Sequence, residues 1–479
     1  MSQRPPNIIL IITDQQRFDT IGALGFDYMD TPHLDRLVRE GVSFDNCFIP
    51  ATSCAPARAS LFTGRYPHTT RIFKNGDPWR KTWVSDLRAA GYHTVNIGKM
   101  HTTPFLAEAG FDERYVVENK DRYLQGAEFI DEWDKALIAR GVVPKPGRIM
   151  YRERADYRHS LGAFVWDWDE DLQSDNFVGG FATHWIRNQT VREPLFLQIG
   201  FPGPHPPYDP TPEFERRYRD RDFGIVDPTR AEIDGQPGPF RSMREHNAEV
   251  DHDSIVHMLD PTFAQRQHQR ACYMANVAMI DAQVGNILAA LEDRGLLEDS
   301  IVVFTSDHGD ALGDHGHSQK WTFYDIVTRV PTIVWSPGRF DGGRRIEDLY
   351  SWIDLAPTIF EFAGLTVPEG FEGISMGPAL AGSPSASGRR YVFCEQSRED
   401  MMGLDWDFMT MVRDRRWKLV RLLDCDEGQL FDLESDPGET RNRWDDPDCA
   451  AERGRLSDVL TDWLIRSHYE TSDWGQQWR

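Results

Sequence analysis

The chain is short of several things, and each shortage excludes something. Only six of its 479 residues are cysteine (Cys47, Cys54, Cys272, Cys394, Cys425 and Cys449), spaced like neither a metal knuckle nor a disulfide framework. So sparse a set suits free thiols in a reducing compartment. Basic residues are the minority: 53 Lys and Arg against 76 Asp and Glu leave a net charge of −23. That argues against nucleic acid or an anionic membrane as partner. An anionic substrate must then be drawn by a local cluster of cations. No hydrophobic run is expected to span a membrane. Ile8 to Ile12 is too short for the apolar region of a signal peptide, and no small-residue cleavage site follows it. A cytoplasmic location is the expectation. The glycine motifs of dinucleotide and P-loop sites are missing, as are internal repeats and low-complexity tracts.

What is present is an ordinary globular composition, 40% hydrophobic and 27% charged, in a chain long enough for a large core. Apolar runs of strand character (7–13, 92–97, 195–201, 301–305 and 332–335) alternate with helical patterns (31–40, 84–90, 177–189, 265–294 and 353–362). Continuous apolar strands between helices predict an α/β fold with a large, mostly parallel mixed sheet covered on both faces. Residues 120–175 and 205–262 break the rhythm with charge, proline and aromatics, and read as insertions that shape a substrate pocket. Near Ala381-Gly382-Ser383-Pro384-Ser385 the composition becomes that of a linker. The domains are therefore drawn as 1–385 and 386–479, the second a smaller α+β unit with an antiparallel sheet, strands near 391–395 and 417–422, and a helix near 450–465.

One stretch stands out: Ser53-Cys54-Ala55-Pro56-Ala57-Arg58-Ala59-Ser60-Leu61-Phe62-Thr63-Gly64. Pro56 suits a first helical turn and Gly64 a C-cap, so Cys54 lies at a helix N-terminus, where amides and the helix dipole attract anions. Arg58, four residues on, shares its face, and a planar guanidinium suits sulfate or phosphate. The plainer reading is a half-buried cysteine beside a surface arginine. Other polar groups follow strand ends, where α/β sheets bind ligands. Asp14-Gln15 follows the first strand and Asp307-His308 another. Carboxylates with an imidazole make a site for a hard divalent ion. Taken singly, Asp14 is as readily a helix cap and Asp307-His308-Gly309 a turn. Gly98-Lys99-Met100-His101, Gly203-Pro204-His205-Pro206-Pro207 and Lys320 offer cations and proton carriers, or else solvated lysines and a proline-stiffened loop. Asn75 before Gly76 is a turn residue or an anion-binding amide. His315 and His317 are loop histidines or substrate contacts, and Trp166 and Trp168 core residues or a stacking platform.

Taken together these residues resemble the sulfatase family, the formylglycine-dependent type I enzymes of the alkaline phosphatase superfamily. Cys54-Ala55-Pro56-Ala57-Arg58 matches the family's C-x-P-x-R, Gly98-Lys99-Met100-His101 its G-K-x-H, and Pro204-His205-Pro206-Pro207 its P-H-x-P loop. The likeness runs on through 277–288, 323–331 and 354–358 to 430–439. It implies a hydrolase of aryl, alkyl or sugar sulfate esters. Cys54 is then the precursor of formylglycine (3-oxoalanine), made by a maturation enzyme. Asp14, Gln15, Cys54, Asp307 and His308 would hold one divalent ion, calcium first, with manganese or magnesium as alternatives. Arg58, Lys99 and Lys320 would hold sulfate, with Asn75 a further contact.

In the implied reaction one hydroxyl of the hydrated aldehyde attacks sulfur while His205 or Lys320 protonates the departing alcohol. His101 then takes the proton of the other hydroxyl, and sulfate leaves. Gln15 stands where many sulfatases have a second acid, and His308 where an asparagine is common. Both also resemble the phosphonate monoester and phosphodiester hydrolases, which form the alternative activity. Lys99 and His101 favour the sulfatase. A non-catalytic anion-binding or metal-storage protein is the third reading. The Trp474 and Trp478 tail suggests a homo-oligomer.

Overall fold

The computed structural model describes residues 5–120, 129–142, 151–383, 386–398 and 406–472. Nine strands form one sheet: β1 (Asn7–Asp14), β2 (Val42–Phe48), β3 (His93–Gly98), β4 (Glu113–Val116), β5 (Leu195–Pro204), β6 (Ser300–Ser306), β7 (Arg329–Val330), β8 (Thr332–Trp335) and β9 (Arg344–Ser351). Their order is β4-β3-β5-β1-β6-β8-β2-β7, with β9 also pairing β2. From β4 to β6 every pairing is parallel, while β8 runs antiparallel to both β6 and β2.

Side-chain alternation explains why the central strands are apolar throughout. Ile9 and Ile11 of β1 pack into one core with helices Pro32–Glu40, Ser174–Asn188 and Phe263–Asp293. Ile8, Leu10 and Ile12 point the other way, onto helices Cys54–Thr63, Val84–Ala89 and Leu355–Phe362. Each face is covered, so neither tolerates a polar residue.

The expectation that no run is long and apolar enough to cross a membrane needs correction. Helix Phe263–Asp293 passes that test by length and composition. Most of its apolar window is buried inside the fold, against the sheet and the helix Ser174–Asn188, so it is the central helix of the core.

Four further strands, β10 (Val392–Ser397), β11 (Phe408–Arg413), β12 (Trp417–Leu422) and β13 (Gly428–Asp432), form an antiparallel meander. Helix Ala450–Thr471 covers one face through Leu456, Leu460 and Trp463, whose ring stacks on Phe393 at 4.3 Å. The other face, with Cys394, Met409, Met411, Val420 and Leu422, enters the core of the large sheet. The two sheets thus share apolar packing. Pro384 and Ser385 of the expected linker, and the Trp474 and Trp478 tail, lie outside the described residues. Just past the linker, Arg389 is held by Asp354, Nε to Oδ2 at 2.8 Å.

Strands β2, β4, β7, β9, β11 and β13 were not expected from sequence. Within the insertions, helices Glu132–Ala139, Pro212–Tyr218, Arg230–Asp234 and Gly238–Glu249 are present. Trp166 is buried core, its Nε1 donating to Asp169 O at 3.0 Å, with Trp168 packed against it.

Candidate active site

The carboxyl ends of four parallel strands deliver most of the polar residues singled out above. Asp14 is the last residue of β1, and Gln15 follows in a left-handed conformation (φ 69°). Asp307 and His308 follow β6, Lys99 and His101 follow β3, and His205 follows β5. Gly98 is required where it stands: its φ is 90°, and a Cβ would lie 2.1 Å from Gly200 O. Cys54 opens its helix, Gly64 closes it at φ 71°, and Cys54 and Arg58 are both fully buried. The plainer reading of a half-buried thiol and a surface arginine is therefore overturned.

The ligand atoms of Asp14, Cys54, Asp307 and His308 all lie within 4.8 Å of one another. Cys54 Sγ is 3.1 Å from His308 Nε2 and 3.7 Å from Asp14 Oδ1. Lys320 Nζ reaches Sγ at 3.0 Å and Gln15 Oε1 at 3.1 Å. Arg58 Nε donates to Asp307 Oδ2 at 2.7 Å, and its Nη2 lies 3.5 Å from Asp14 Oδ2. Lys99 pairs with Asp14 and with Asn119. Beyond these, His205 Nε2 and Lys320 Nζ both face Asp253 Oδ2, at 3.6 and 4.0 Å. His101 stands against Glu118, Nδ1 to Oε2 at 3.5 Å. Asn75 lies at the centre's edge, its Oδ1 accepting from Ala55 N at 3.0 Å, so it takes up one amide of the helix N-terminus.

Burial and neighbouring charge set the protonation states. Burial alone would push the Asp14 carboxyl up, but Lys99, with the other cations, holds it well below the usual carboxylate range. Burial, reinforced by the Asp14 carboxylate, pushes the Cys54 thiol up to about 12, so an unmodified thiol is a poor nucleophile here. Burial and Lys320 bring His205 down to about 3, and burial and Lys99 bring His101 well below 6.5, so both imidazoles are neutral.

The donor set fits a divalent ion. His308 Nδ1 donates to Gly309 O at 3.0 Å; a carbonyl only accepts, so Nε2 carries its lone pair toward the two carboxylates. Two carboxylates, one imidazole and the Gln15 carbonyl oxygen are the hard O and N donors such an ion takes. Arg58 Nη2, His101 Nδ1 and His205 Nε2 are buried without a hydrogen-bond partner, as expected of a cradle shaped for an anion beside the ion.

The fold brings all ten sequence candidates, and Asn75 at the margin, to one place. It does not bring His315 or His317: His315 stacks on Tyr324 at 3.7 Å and bonds Glu232, while His317 bonds Gln236 at 2.9 Å. Sequence reasoning missed Glu118, Asn119 and Asp253, which bond or face the candidates, and Asp310, which accepts from Gln15 Nε2 at 2.7 Å. None sits in a motif. Only the proximity of Asp310 to Asp307-His308 was a signal, since the strand that Glu118 and Asn119 follow was itself not expected. A cavity of about 610 Å³ lies apart from Cys54, lined by the second insertion (Asp227, Arg241, Arg244 and His257 among others) and by Gly316 and Ser318.

A family model described as sulfatase matches residues 6–365, and one described as N-sulphoglucosamine sulphohydrolase, C-terminal, matches residues 313–465. An arylsulfatase of Clostridium perfringens is 29% identical over 91% of this chain and 90% of its own length. A choline-sulfatase of Rhizobium meliloti is 28% identical over 95% of this chain and 86% of its own length. The solved structure of a phosphonate monoester hydrolase from Silicibacter pomeroyi superposes with a TM-score of 0.77 at 26% identity, covering 96% of each chain.

Proposed function

The chain belongs to the sulfatase family, and on that premise we propose that its sulfate-ester hydrolysis takes place at the centre built on Cys54, which is formylglycine in the active protein. The observation that carries this reading is the convergence of Asp14, Cys54, Asp307 and His308 beside Arg58, Lys99 and Lys320 in one buried place. A divalent ion on Asp14, Gln15, Asp307, His308 and position 54, calcium in our reading and manganese or magnesium as the alternatives, supplies Lewis acidity toward the sulfate oxygens. A hydrated aldehyde at position 54 supplies two hydroxyls on one carbon, one to take the sulfate and one to release it.

The chain's own residues do the rest. Arg58 and Lys99 oppose the charge that makes a sulfate ester resist attack. His101, neutral and with its Nδ1 against Glu118, accepts a proton. Lys320 and His205 face the same carboxylate, Asp253, and serve the departing oxygen. His205 Nδ1 donates to Pro206 O at 2.9 Å, so Nε2 carries a lone pair and passes on only a proton it has first taken up, the charged Lys320 ammonium being the source.

Substrates are small anionic sulfate monoesters. The names of the relatives put aryl and choline sulfates first in a panel with sugar sulfates. The phosphonate monoester reading draws support from the structural neighbour and from Gln15 and His308, while Lys99 and His101 favour sulfate. Relative turnover of aryl sulfate and aryl phosphonate decides: a higher rate on the phosphonate overturns the sulfatase reading. The six free cysteines support a cytoplasmic location. A formylglycine-generating enzyme as partner, a homo-oligomeric state and a domain division at 385/386 belong to the same proposal.

A further inference from the structure

Lys99, His101 and His205 lie on two separate chain segments, yet all three are tied to one tripeptide, Glu118-Asn119-Lys120, just past the end of the edge strand β4. Glu118 Oε1 accepts from the His101 backbone N at 3.1 Å, and its Oε2 stands 3.5 Å from His101 Nδ1. Asn119 Oδ1 accepts from Lys99 Nζ. Lys120 turns the other way, into a fully buried cluster with Asp175 and Asp209.

That cluster brackets the loop carrying His205. On one side Asp175 Oδ1 accepts from Gly203 N at 2.6 Å. On the other, Lys120 Nζ donates to Pro207 O at 3.4 Å. Lys120 bonds Asp209 and lies 3.4 Å from Asp175 Oδ2, and Gln173 Nε2 closes the cluster on Asp209 Oδ1 at 3.0 Å. A buried ion pair is a weak source of stability, and apolar side chains would fill such a space as well. What this one adds is direction: fixed hydrogen bonds to the backbone on both sides of His205.

We propose that Glu118-Asn119-Lys120 is a positioning element that sets the sulfate-binding cation Lys99, the base His101 and the His205 loop in register with one another. It rests on the sulfatase reading of the site. Its three side chains act on different partners, so their removal has different kinetic consequences. Loosening the His205 loop impairs proton delivery to the departing oxygen, which matters most for a poor leaving group. Loosening Lys99 weakens the hold on sulfate, which is common to every ester.

The test compares an alkyl sulfate with p-nitrophenyl sulfate in the full-length, matured protein. Lys120→Met should lower kcat/KM for the alkyl sulfate by on the order of 10²-fold and for the nitrophenyl ester by less than about 10-fold. Asn119→Ala should raise KM for both by the same factor. Gly203→Ala attacks the loop from its other side, since its Cβ would lie 2.2 Å from Asp175 Oδ2. It must give the leaving-group dependence of Lys120→Met even where that variant fails to fold. Equal losses on both esters for Lys120→Met, or for Gly203→Ala where Lys120→Met does not fold, overturn this inference alone. Wild-type protein that turns over neither ester overturns the sulfatase reading and this inference with it.

Discussion

Two ionic clusters among the described residues, one at the Cys54 centre and one, mostly buried, beside the C-terminal sheet, differ in their leftover atoms. In the C-terminal cluster, Asp325 and Glu439 meet Arg413 and Lys418, joining the large sheet to the small one. All four carboxylate oxygens accept a hydrogen bond, and Arg413 Nε is the cluster's one buried side-chain nitrogen or oxygen without a partner among the described residues. At the Cys54 centre the leftovers are a guanidinium nitrogen of Arg58 and ring nitrogens of His101 and His205. The first arrangement has all but spent its hydrogen-bonding capacity on itself, whereas the second keeps some in reserve, as the proposed ion and sulfate require. Burial and charge alone therefore do not mark a site; unspent hydrogen-bonding capacity beside a reactive position does.

Experiments can break that contrast, beginning with the largest expected effect. Cys54→Ser should cost turnover at least about 10³-fold, because a serine ester cannot be released as a hydrated aldehyde's can. Its melting temperature should stay close to wild type, and the two readouts together check the claim. Stripping the divalent ion with a chelator should abolish turnover and lower the melting temperature, and adding back calcium or manganese should restore both. Elemental analysis of active protein identifies the resident ion.

Lys418→Met should do the reverse, leaving turnover per folded molecule unchanged while removing about 3–5 kcal/mol in equilibrium denaturation, since Asp325 and Glu439 lose their shared cation. Another buried carboxylate, outside both clusters, sharpens the comparison from below. Asp281 accepts from the backbone of Leu34 and His33, and burial brings it from the usual 3.8 to about 7. The folded state keeps this proton while the unfolded state has lost it, so stability falls as pH rises from about 4 to about 7. The slope reaches at most about 1.4 kcal/mol per pH unit. Asp281→Asn should flatten that dependence in thermal melts taken across the window.

Much of this was legible in the sequence where local chemistry speaks. Strands β1, β5 and β6 are covered on both faces and so read as unbroken apolar runs. Cys54-Ala55-Pro56-Ala57-Arg58 announces a helix start with an anion-binding face. Strands β2 and β9 escaped notice because polar side chains interrupt their apolar runs: Ser43, Asp45 and Asn46 in β2, and in β9 a half-exposed charged stretch from Arg344 to Asp348. The supporting residues escaped for another reason. Asp253 comes to His205 from 48 positions away in the chain, and Lys120 to Asp209 from 89. No motif encodes a contact made only when β4 and the second insertion close around the strand ends. Trp166 and Trp168 show the converse, since an aromatic pair inside an insertion is core.

The account turns on what position 54 is. The direct measurement is mass analysis of the peptide carrying Cys54, from protein made with and without a formylglycine-generating enzyme, with sulfate-ester turnover assayed on the same samples. We expect turnover to rise in proportion to the aldehyde-bearing fraction and to vanish where the thiol is intact. Full turnover by protein whose Cys54 is entirely unmodified would contradict it.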